Sequence, residues 1–262
     1  MRRPDYIPLC TIAGSDPTGG AGLQGDLKTF AAHGVRGTAV VTALTVQGAR
    51  GVSRVEPVPP DLVAEQLAVV LAEVEPLALK TGMLWDGPTI RAVAAALAPE
   101  QGRLAIVVDP VLAASAGGDL LVADALPTLV AALLPLAGVL TPNLPEAARL
   151  LGRASIPDRE ASEAARALLD LGCAAVLLKG GHGTGKEAVD WLATSTGVTR
   201  LALPRLPGVD PHGTGCALSA SLASFLGRGF SLVEAAEAAK AYVHRALVAA
   251  GGGQLRHDVP DL

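Results

Sequence analysis

Apolar positions along this chain follow two rhythms that alternate. Short runs rich in Val, Ile, Leu and Ala over 9–13, 39–46, 77–80, 104–109, 138–141 and 174–179 predict strands. Between them, over 21–33, 60–74, 87–98, 121–134, 144–151 and 158–171, apolar residues recur three and four apart, which predicts helices with one buried face. Strands alternating with helices predict βαβ units, and so a mostly parallel sheet covered by helices on both faces. The rhythm changes after Lys179. Residues 188–193 and 199–203 form extended runs around Ser195-Thr196-Gly197 and predict a late β-hairpin. Ala-rich helices follow over 213–226 and 231–250, with Gly227-Arg228-Gly229 as the break between them. The segment 48–60 reads as a loop, and the sequence leaves open whether it closes over a substrate. With no linker, repeat or low-complexity tract, residues 1–262 read as one α/β domain.

Composition narrows the class. Of 262 residues 50% are hydrophobic and only 3% aromatic, so the core must be built from Ala, Leu and Val. The formal net charge of -4 argues against a nucleic-acid or membrane-surface partner. Any bound phosphate must therefore be met locally, by backbone and a few cations. Met1-Arg2-Arg3 runs into Pro4 and Asp5 rather than an apolar stretch, so no signal peptide is expected. The longest apolar run, near 120–140, is interrupted by Asp124, Pro127 and Pro135, which argues against a membrane span. Cys10, Cys173 and Cys216 show no metal-like spacing. The first two lie in or beside apolar runs, as buried thiols of a reducing cytoplasm would.

Candidate chemistry collects at the predicted strand ends, where open α/β sheets bind ligands. Asp109 closes the run 104–109, Asn143 and Glu146 follow 138–141, and Lys179 closes 174–179. Hard oxygen donors at successive strand ends suit a phosphate-bound Mg²⁺, whereas helix capping is the competing explanation for Asp109 and Glu146. A lysine in such a place is either a solvated strand end or a point charge for phosphate. The densest cluster is Pro211-His212-Gly213-Thr214-Gly215-Cys216, at the mouth of the helix over 213–226. Free N–H groups at a helix start bind anions, and glycines let a phosphate come close. The same helix end lowers the pKa of a nearby cysteine, so Cys216 reads as a base or nucleophile, or alternatively as a packed core thiol.

Two glycine-rich stretches are decoys. Gly20-Ala21-Gly22-Leu23-Gln24-Gly25 matches G-x-G-x-x-G, but the next strand ends Leu44-Thr45-Val46-Gln47 without the acid that a dinucleotide ribose requires. Gly180 to Lys186 matches G-x-x-x-x-G-K, yet Glu187 stands where Ser or Thr belongs, and β-like residues come next instead of a helix.

Taken in chain order, the motifs Thr11-Ile12-Ala13-Gly14-Ser15-Asp16, Gly19-Gly20-Ala21-Gly22-Leu23-Gln24-Gly25-Asp26, Thr42-Ala43-Leu44-Thr45-Val46-Gln47, Lys80-Thr81-Gly82-Met83-Leu84, Asp109-Pro110-Val111, Thr141-Pro142-Asn143 with Glu146, Leu178-Lys179-Gly180-Gly181-His182 and His212-Gly213-Thr214-Gly215-Cys216 span nearly the whole chain. This set resembles the ribokinase-like kinases and, more closely, the hydroxymethylpyrimidine/phosphomethylpyrimidine kinases of thiamine biosynthesis. The resemblance implies a three-layer fold and ATP-dependent phosphorylation of 4-amino-5-hydroxymethyl-2-methylpyrimidine, then of its monophosphate. By position, Gln47 would hydrogen-bond the aminopyrimidine edge, with Asp26, Gly14 and Met83 lining the substrate pocket. Gly213, Thr214 and Gly215 would form the anion hole, beside Cys216 as the catalytic thiol. Asp109 and Glu146 would organise Mg²⁺, while Asn143 and Lys179 would lie near ATP phosphates. The family is often dimeric, so a homodimer is also implied.

Some positions depart from the family pattern. Ser115-Ala116-Gly117 replaces a Lys-Ser-Gly or Thr-Ser-Gly element, Asp210-Pro211 replaces Asn-Thr, and Gly251-Gly252-Gly253-Gln254-Leu255 replaces Gly-His-Gly-Pro. These changes bear on the second phosphorylation more than on the fold. Two other readings stay open at this point: a pyridoxal/pyridoxine kinase, and a catalytically silent pyrimidine-binding regulator.

Overall fold

The computed structural model describes residues 6–48, 51–114, 117–181, 185–206 and 212–259. β1 (Pro8–Ser15) leads through α1 (Gly22–Ala32) to the long β2 (Arg36–Gly48), which pairs antiparallel with β3 (Gly51–Pro57). The alternation continues as α2 (Pro60–Glu73), β4 (Ala78–Thr81), α3 (Gly87–Leu97), β5 (Ala105–Val108), α4 (Leu126–Thr128), β6 (Val139–Leu140), α5 (Leu144–Leu150), α6 (Ala161–Ala167) and β7 (Ala175–Leu178). The hairpin β8 (Glu187–Thr194) and β9 (Gly197–Pro204) precedes α7 (Thr214–Gly227) and α8 (Leu232–Ala250).

One nine-stranded sheet holds all of these strands, in the order β3-β2-β1-β4-β5-β6-β7-β8-β9. Neighbours from β2 to β7 are parallel, while β3, β8 and β9 join antiparallel at the two edges. The period of two along each strand sorts side chains into two cores. Leu9, Ala78, Val107, Val139 and Ala175 meet Phe30 of α1 and the Ala-rich faces of α7 and α8. Their neighbours Cys10, Leu79, Val108, Leu140 and Val176 meet Leu67 of α2, Val93 of α3, Ala147 of α5 and Ala164 of α6. These are the three layers expected from the alternating pattern. Each fully buried Leu, Ile or Val contributes roughly 1.5–3 kcal/mol of transfer free energy, so the sheet is stabilised from both sides.

The structure departs from the sequence reading in two elements. The segment 48–60 is not simply a loop, because 51–57 is a strand. In β3 the half-buried Val52 and Val55 are set among exposed Ser53, Arg54 and Glu56, so no strong apolar period marks it. The helix expected over 121–134 is broken into a 3₁₀ turn over Ala123–Ala125, the short α4 and a π-helical turn over Leu129–Leu133. There the Leu134 N–H reaches back to the Leu129 carbonyl, and Pro135, which has no N–H, sits in the 3₁₀ turn Leu134–Leu136 that ends the element.

From β1 the chain moves to β2 on one side, and β4 then takes the place on β1's other side. That reversal is a topological switch point, which opens a crevice at the carboxyl ends of β1 and β4.

Candidate active site

A cleft lies over this crevice, about 730 Å³ when the space open to solvent is counted. Its walls come from the carboxyl ends of the parallel strands β1, β2 and β4 to β7 and the residues just beyond them. β1 supplies Gly14 and Ser15, β2 supplies Thr45 and Gln47, and Met83 stands just past β4. Asp109 comes directly after β5, Asn143 and Glu146 open α5 after β6, and Lys179 comes directly after β7. Gly213, Gly215 and Cys216, at the start of α7, complete the cleft. Ten of the twelve residues singled out from the sequence thus meet in one place. Asp26 and Thr214 are the two that do not line it.

Asp26 lies behind the cleft wall, fully buried, and grips a residue that sequence reasoning did not single out. The Lys80 ammonium donates to both Asp26 oxygens, at 3.1 and 2.9 Å, and Thr11 Oγ1 donates to Oδ2 at 2.6 Å. Burial alone would lower the Lys80 pKa, but the Asp26 charge outweighs it and holds the ammonium above its ordinary value. A signal was present: Lys80 closes an apolar strand just as Lys179 does. Lys179 repeats the arrangement, with Nζ donating to Asp109 Oδ1 at 2.9 Å. Burial works against its charge, and Asp109 and Glu146 overcome that and raise its pKa. Ser219 donates to the other Asp109 oxygen at 2.9 Å. It lies three residues beyond Cys216 on the same face of α7, a helical spacing readable in the sequence.

Glu146 has the capping role that was its competing explanation. Its Oε2 accepts from the Asn143 N–H at 2.8 Å, and Asn143 Oδ1 accepts from the Glu146 N–H at 2.8 Å, a reciprocal capping box at the start of α5. The same geometry faces both side chains toward the cleft. Burial pushes the Glu146 carboxyl up, and the neighbouring Asp109 adds to this against the pull of Lys179. Asp109 caps no helix among the described residues. Among those residues no group of three or more His, Cys, Asp or Glu is arranged as a protein-only metal cage.

The glycine-rich start of α7 is shaped by close packing. Gly213 takes a left-handed φ of 94°, and a Cβ there would fall 1.8 Å from the Gly20 carbonyl oxygen. The loop after β1 therefore presses directly on the helix mouth. His212 fastens the two together, its Nε2 lying 2.9 Å from Oδ2 of the buried Asp16. Burial would raise the Asp16 carboxyl, but hydrogen bonds from Thr18, His212 and Ala21 hold it below its usual range. Asp16 and His212 both stand in motifs quoted from the sequence, but neither was given a role, because their contact spans 196 positions.

Cys216 overturns one expectation. The helix start was to lower its pKa, yet the thiol is pushed up to about 11. Burial is the chief cause; Lys80 pulls the other way, Asp26 and Asp109 oppose ionisation, and the Gly22 N–H favours it. The thiol is therefore protonated at neutral pH. The rejection of Gly180–Lys186 as a P-loop agrees with the chain course, since it runs into the strand β8. Ser115, Ala116, His182, Asp210 and Pro211 lie outside the described residues.

A family profile described as Phosphomethylpyrimidine kinase matches residues 16–257. The chain belongs to the phosphomethylpyrimidine kinase family. Within it, the hydroxymethylpyrimidine/phosphomethylpyrimidine kinase of Rhizobium meliloti is 47% identical over 241 residues, spanning 92% of this chain and 90% of that protein. The protein of the same name from Escherichia coli is 43% identical over 254 residues, spanning 97% and 95%. Among solved structures, the phosphomethylpyrimidine kinase of Clostridium difficile superposes with a TM-score of 0.80 at 36% identity, covering 92% of this chain and 99% of that one. An ADP complex of Bacillus subtilis pyridoxal kinase gives 0.84 at 32% identity, covering 92% of each chain. The ribokinase-like architecture of this phosphomethylpyrimidine kinase family member is thus shared with kinases of another substrate, so backbone shape does not separate the two.

Proposed function

We propose that this kinase transfers the γ-phosphoryl group of ATP to the hydroxymethyl oxygen of 4-amino-5-hydroxymethyl-2-methylpyrimidine, and then to the phosphate of the resulting monophosphate. The product is the diphosphate used in thiamine biosynthesis. The observation that carries this reading is the opening of α7's glycine-rich start onto the same cleft as Gln47 and Met83 on one side and Asn143 and Lys179 on the other. In each round the acceptor oxygen bonds to the γ-phosphorus, the bond to the bridging oxygen breaks, and ADP leaves. Phosphoryl transfer of this kind asks a protein mainly for positioning and charge stabilisation.

Each residue then has a role. The Gln47 carboxamide offers a donor and an acceptor to the aminopyrimidine edge, with Met83 and Gly14 beside the ring and Asp26 acting from behind through Lys80. Backbone N–H groups at Gly213, Thr214 and Gly215 meet the transferring phosphoryl oxygens. Cys216 faces the acceptor oxygen as a neutral thiol that hydrogen-bonds and positions it, while the acceptor's proton passes to an oxygen of the transferring phosphoryl group. Asn143 and Lys179 face the nucleotide phosphates.

The donor set also fits a hard divalent cation. Lys80 and Lys179 stand against three buried carboxylates, Asp26, Asp109 and Glu146, before the phosphates bring further negative charge. Asp109 and Glu146 would hold Mg²⁺ together with water, and its charge would neutralise phosphate oxygens. Among the described residues no helix is long and apolar enough to cross a membrane. In this proposal the protein is a cytoplasmic enzyme of one domain acting on small molecules, with the single sheet and the net charge of -4 as its support. The exposed Leu44 and Val46 on β2, beside the edge strand β3, support a homodimer through that face.

The test is a two-acceptor assay with ATP and Mg²⁺. The pyrimidine should be converted to the monophosphate and then the diphosphate. A far higher kcat/KM with pyridoxal would overturn the substrate assignment, and no turnover of either acceptor would leave a binding protein.

A further inference from the structure

Outside the cleft, a third ion pair is buried between α8 and β8. Lys240 Nζ donates to Asp190 Oδ2 at 2.7 Å, with the two side chains 9% and 6% exposed. The other carboxylate oxygen accepts from the Gly180 backbone N–H at 2.8 Å. Gly180 is next in the chain after Lys179, and the register of β7 with β8 pairs Leu178 with Trp191. Continued by two residues, that ladder would set Gly180 against Val189. Instead the backbones crowd there, and a Cβ on Gly180 would lie 1.8 Å from the Val189 carbonyl oxygen. Asp190 thus replaces a backbone acceptor with a side chain at the point where β7 stops being a strand. On the outer side, Arg205 Nη2 donates to the Gly180 carbonyl at 3.3 Å, so both polar groups of that peptide are held.

We propose that Asp190 and Lys240 are a positioning pair for the nucleotide side of the site: by holding Gly180 they set where Lys179 leaves β7, and hence where its ammonium meets phosphate. Neither side chain lines the cleft, so they act through Gly180 and Lys179 alone. Burying two charges is not needed for stability, since a buried ion pair is often replaced by apolar residues at little cost. That makes the two functions separable. Asp190→Leu with Lys240→Met removes the charges and the acceptor for Gly180. Asp190→Asn with Lys240→Gln removes the charges but keeps an acceptor oxygen and a hydrogen bond between the two side chains.

The proposal rests on the reading of Lys179 as a nucleotide contact, and the experiment keeps the two apart. Binding of ADP with Mg²⁺ is measured by calorimetry on the full chain, alongside KM for ATP and for the hydroxymethylpyrimidine, with melting temperature as the folding control. The Leu/Met pair is expected to weaken ADP binding and raise KM for ATP by roughly tenfold, in line with the cost of ångström-scale misplacement. KM for the pyrimidine should stay within about twofold, and the Asn/Gln pair should restore nucleotide affinity. Equal nucleotide affinity in wild type and both pairs would overturn the proposal, as would losses that simply track melting temperature. Should the Leu/Met pair not fold, hydrogen exchange on the wild type decides, because a freely exchanging Gly180 N–H means that Asp190 does not hold it. Wild-type protein that binds no ADP would instead refute the nucleotide reading of Lys179.

Discussion

Cys216 stands between opposed demands. It lies at a helix start and near Lys80, both of which favour a thiolate, but burial and two carboxylates prevail and keep it neutral. A neutral thiol does not serve as a standing base. In the proposed mechanism it positions the acceptor hydroxyl, whose proton passes to a phosphoryl oxygen as transfer proceeds, which suits a reaction that needs little deprotonation beforehand. Cys216→Ala is expected to lower kcat by about 10²-fold, the cost of a misplaced acceptor oxygen, with KM for the pyrimidine nearly unchanged. Steady-state kinetics with the purified variant checks this, and an unchanged kcat would remove the thiol from the mechanism. Alkylation of Cys216 by iodoacetamide should be slow at neutral pH and keep rising with pH until about 11. A plateau near pH 7 would show a thiolate already present. Gln47 lines the same cleft, and its proposed role is ground-state recognition. Gln47→Ala should raise KM for the pyrimidine by roughly tenfold or more at similar kcat, as expected when uniform binding is lost. A fall in kcat alone would argue against that role.

At the scale of elements, the site depends on how α7 and the loop after β1 meet. Gly213 combines a positive φ with a backbone oxygen where a Cβ would stand, so even a methyl group must displace one of the two loops. Gly213→Ala is expected to lower kcat at least tenfold and to destabilise the fold by roughly 1–3 kcal/mol, read by urea unfolding beside the kinetics. Wild-type turnover and stability together would mean that the contact with Gly20 is dispensable. The β2–β3 hairpin has a quieter part. It carries Gln47 into the cleft by pairing it with Val52, so the proposed pyrimidine contact is placed by a strand rather than a loop. That placement was not legible in the sequence, because β3 exposes most of its side chains and so lacks the alternation that marks a strand with one buried face. The broken element around α4 escaped for a related reason. Its apolar spacing is helical throughout, and only the two prolines hint that the backbone changes hydrogen-bond period along the way.

Across the whole molecule the three thiols share a direction. Burial raises Cys10 from 9.0 to about 12, and raises Cys173 and Cys216 to about 11. The unfolded chain therefore releases these protons at lower pH than the folded one. Their contribution to stability is fully present below about pH 9 and is lost as pH rises toward 11–12. Urea midpoints taken from pH 8 upward should fall across that window, and Cys10→Ala, whatever its cost at pH 8, should flatten the slope. A slope unaffected by the substitution would assign the alkaline loss to other groups. The layers of this fold were readable from the chain because burial on a sheet or helix face is written locally, at periods of two and 3.6 residues. Strand ends were readable too, and with them Asp109, Asn143, Glu146 and Lys179, since a polar residue closing an apolar run stands out without any knowledge of its neighbours. The pairing of charges was not readable. Lys80 meets Asp26 across 54 positions and Lys179 meets Asp109 across 70, and only the order of strands in the sheet brings each pair together. The ionisation of Cys216 obeyed the same rule: its helix start was visible in the chain, but the desolvation and carboxylates that outweigh it arise from packing between distant segments.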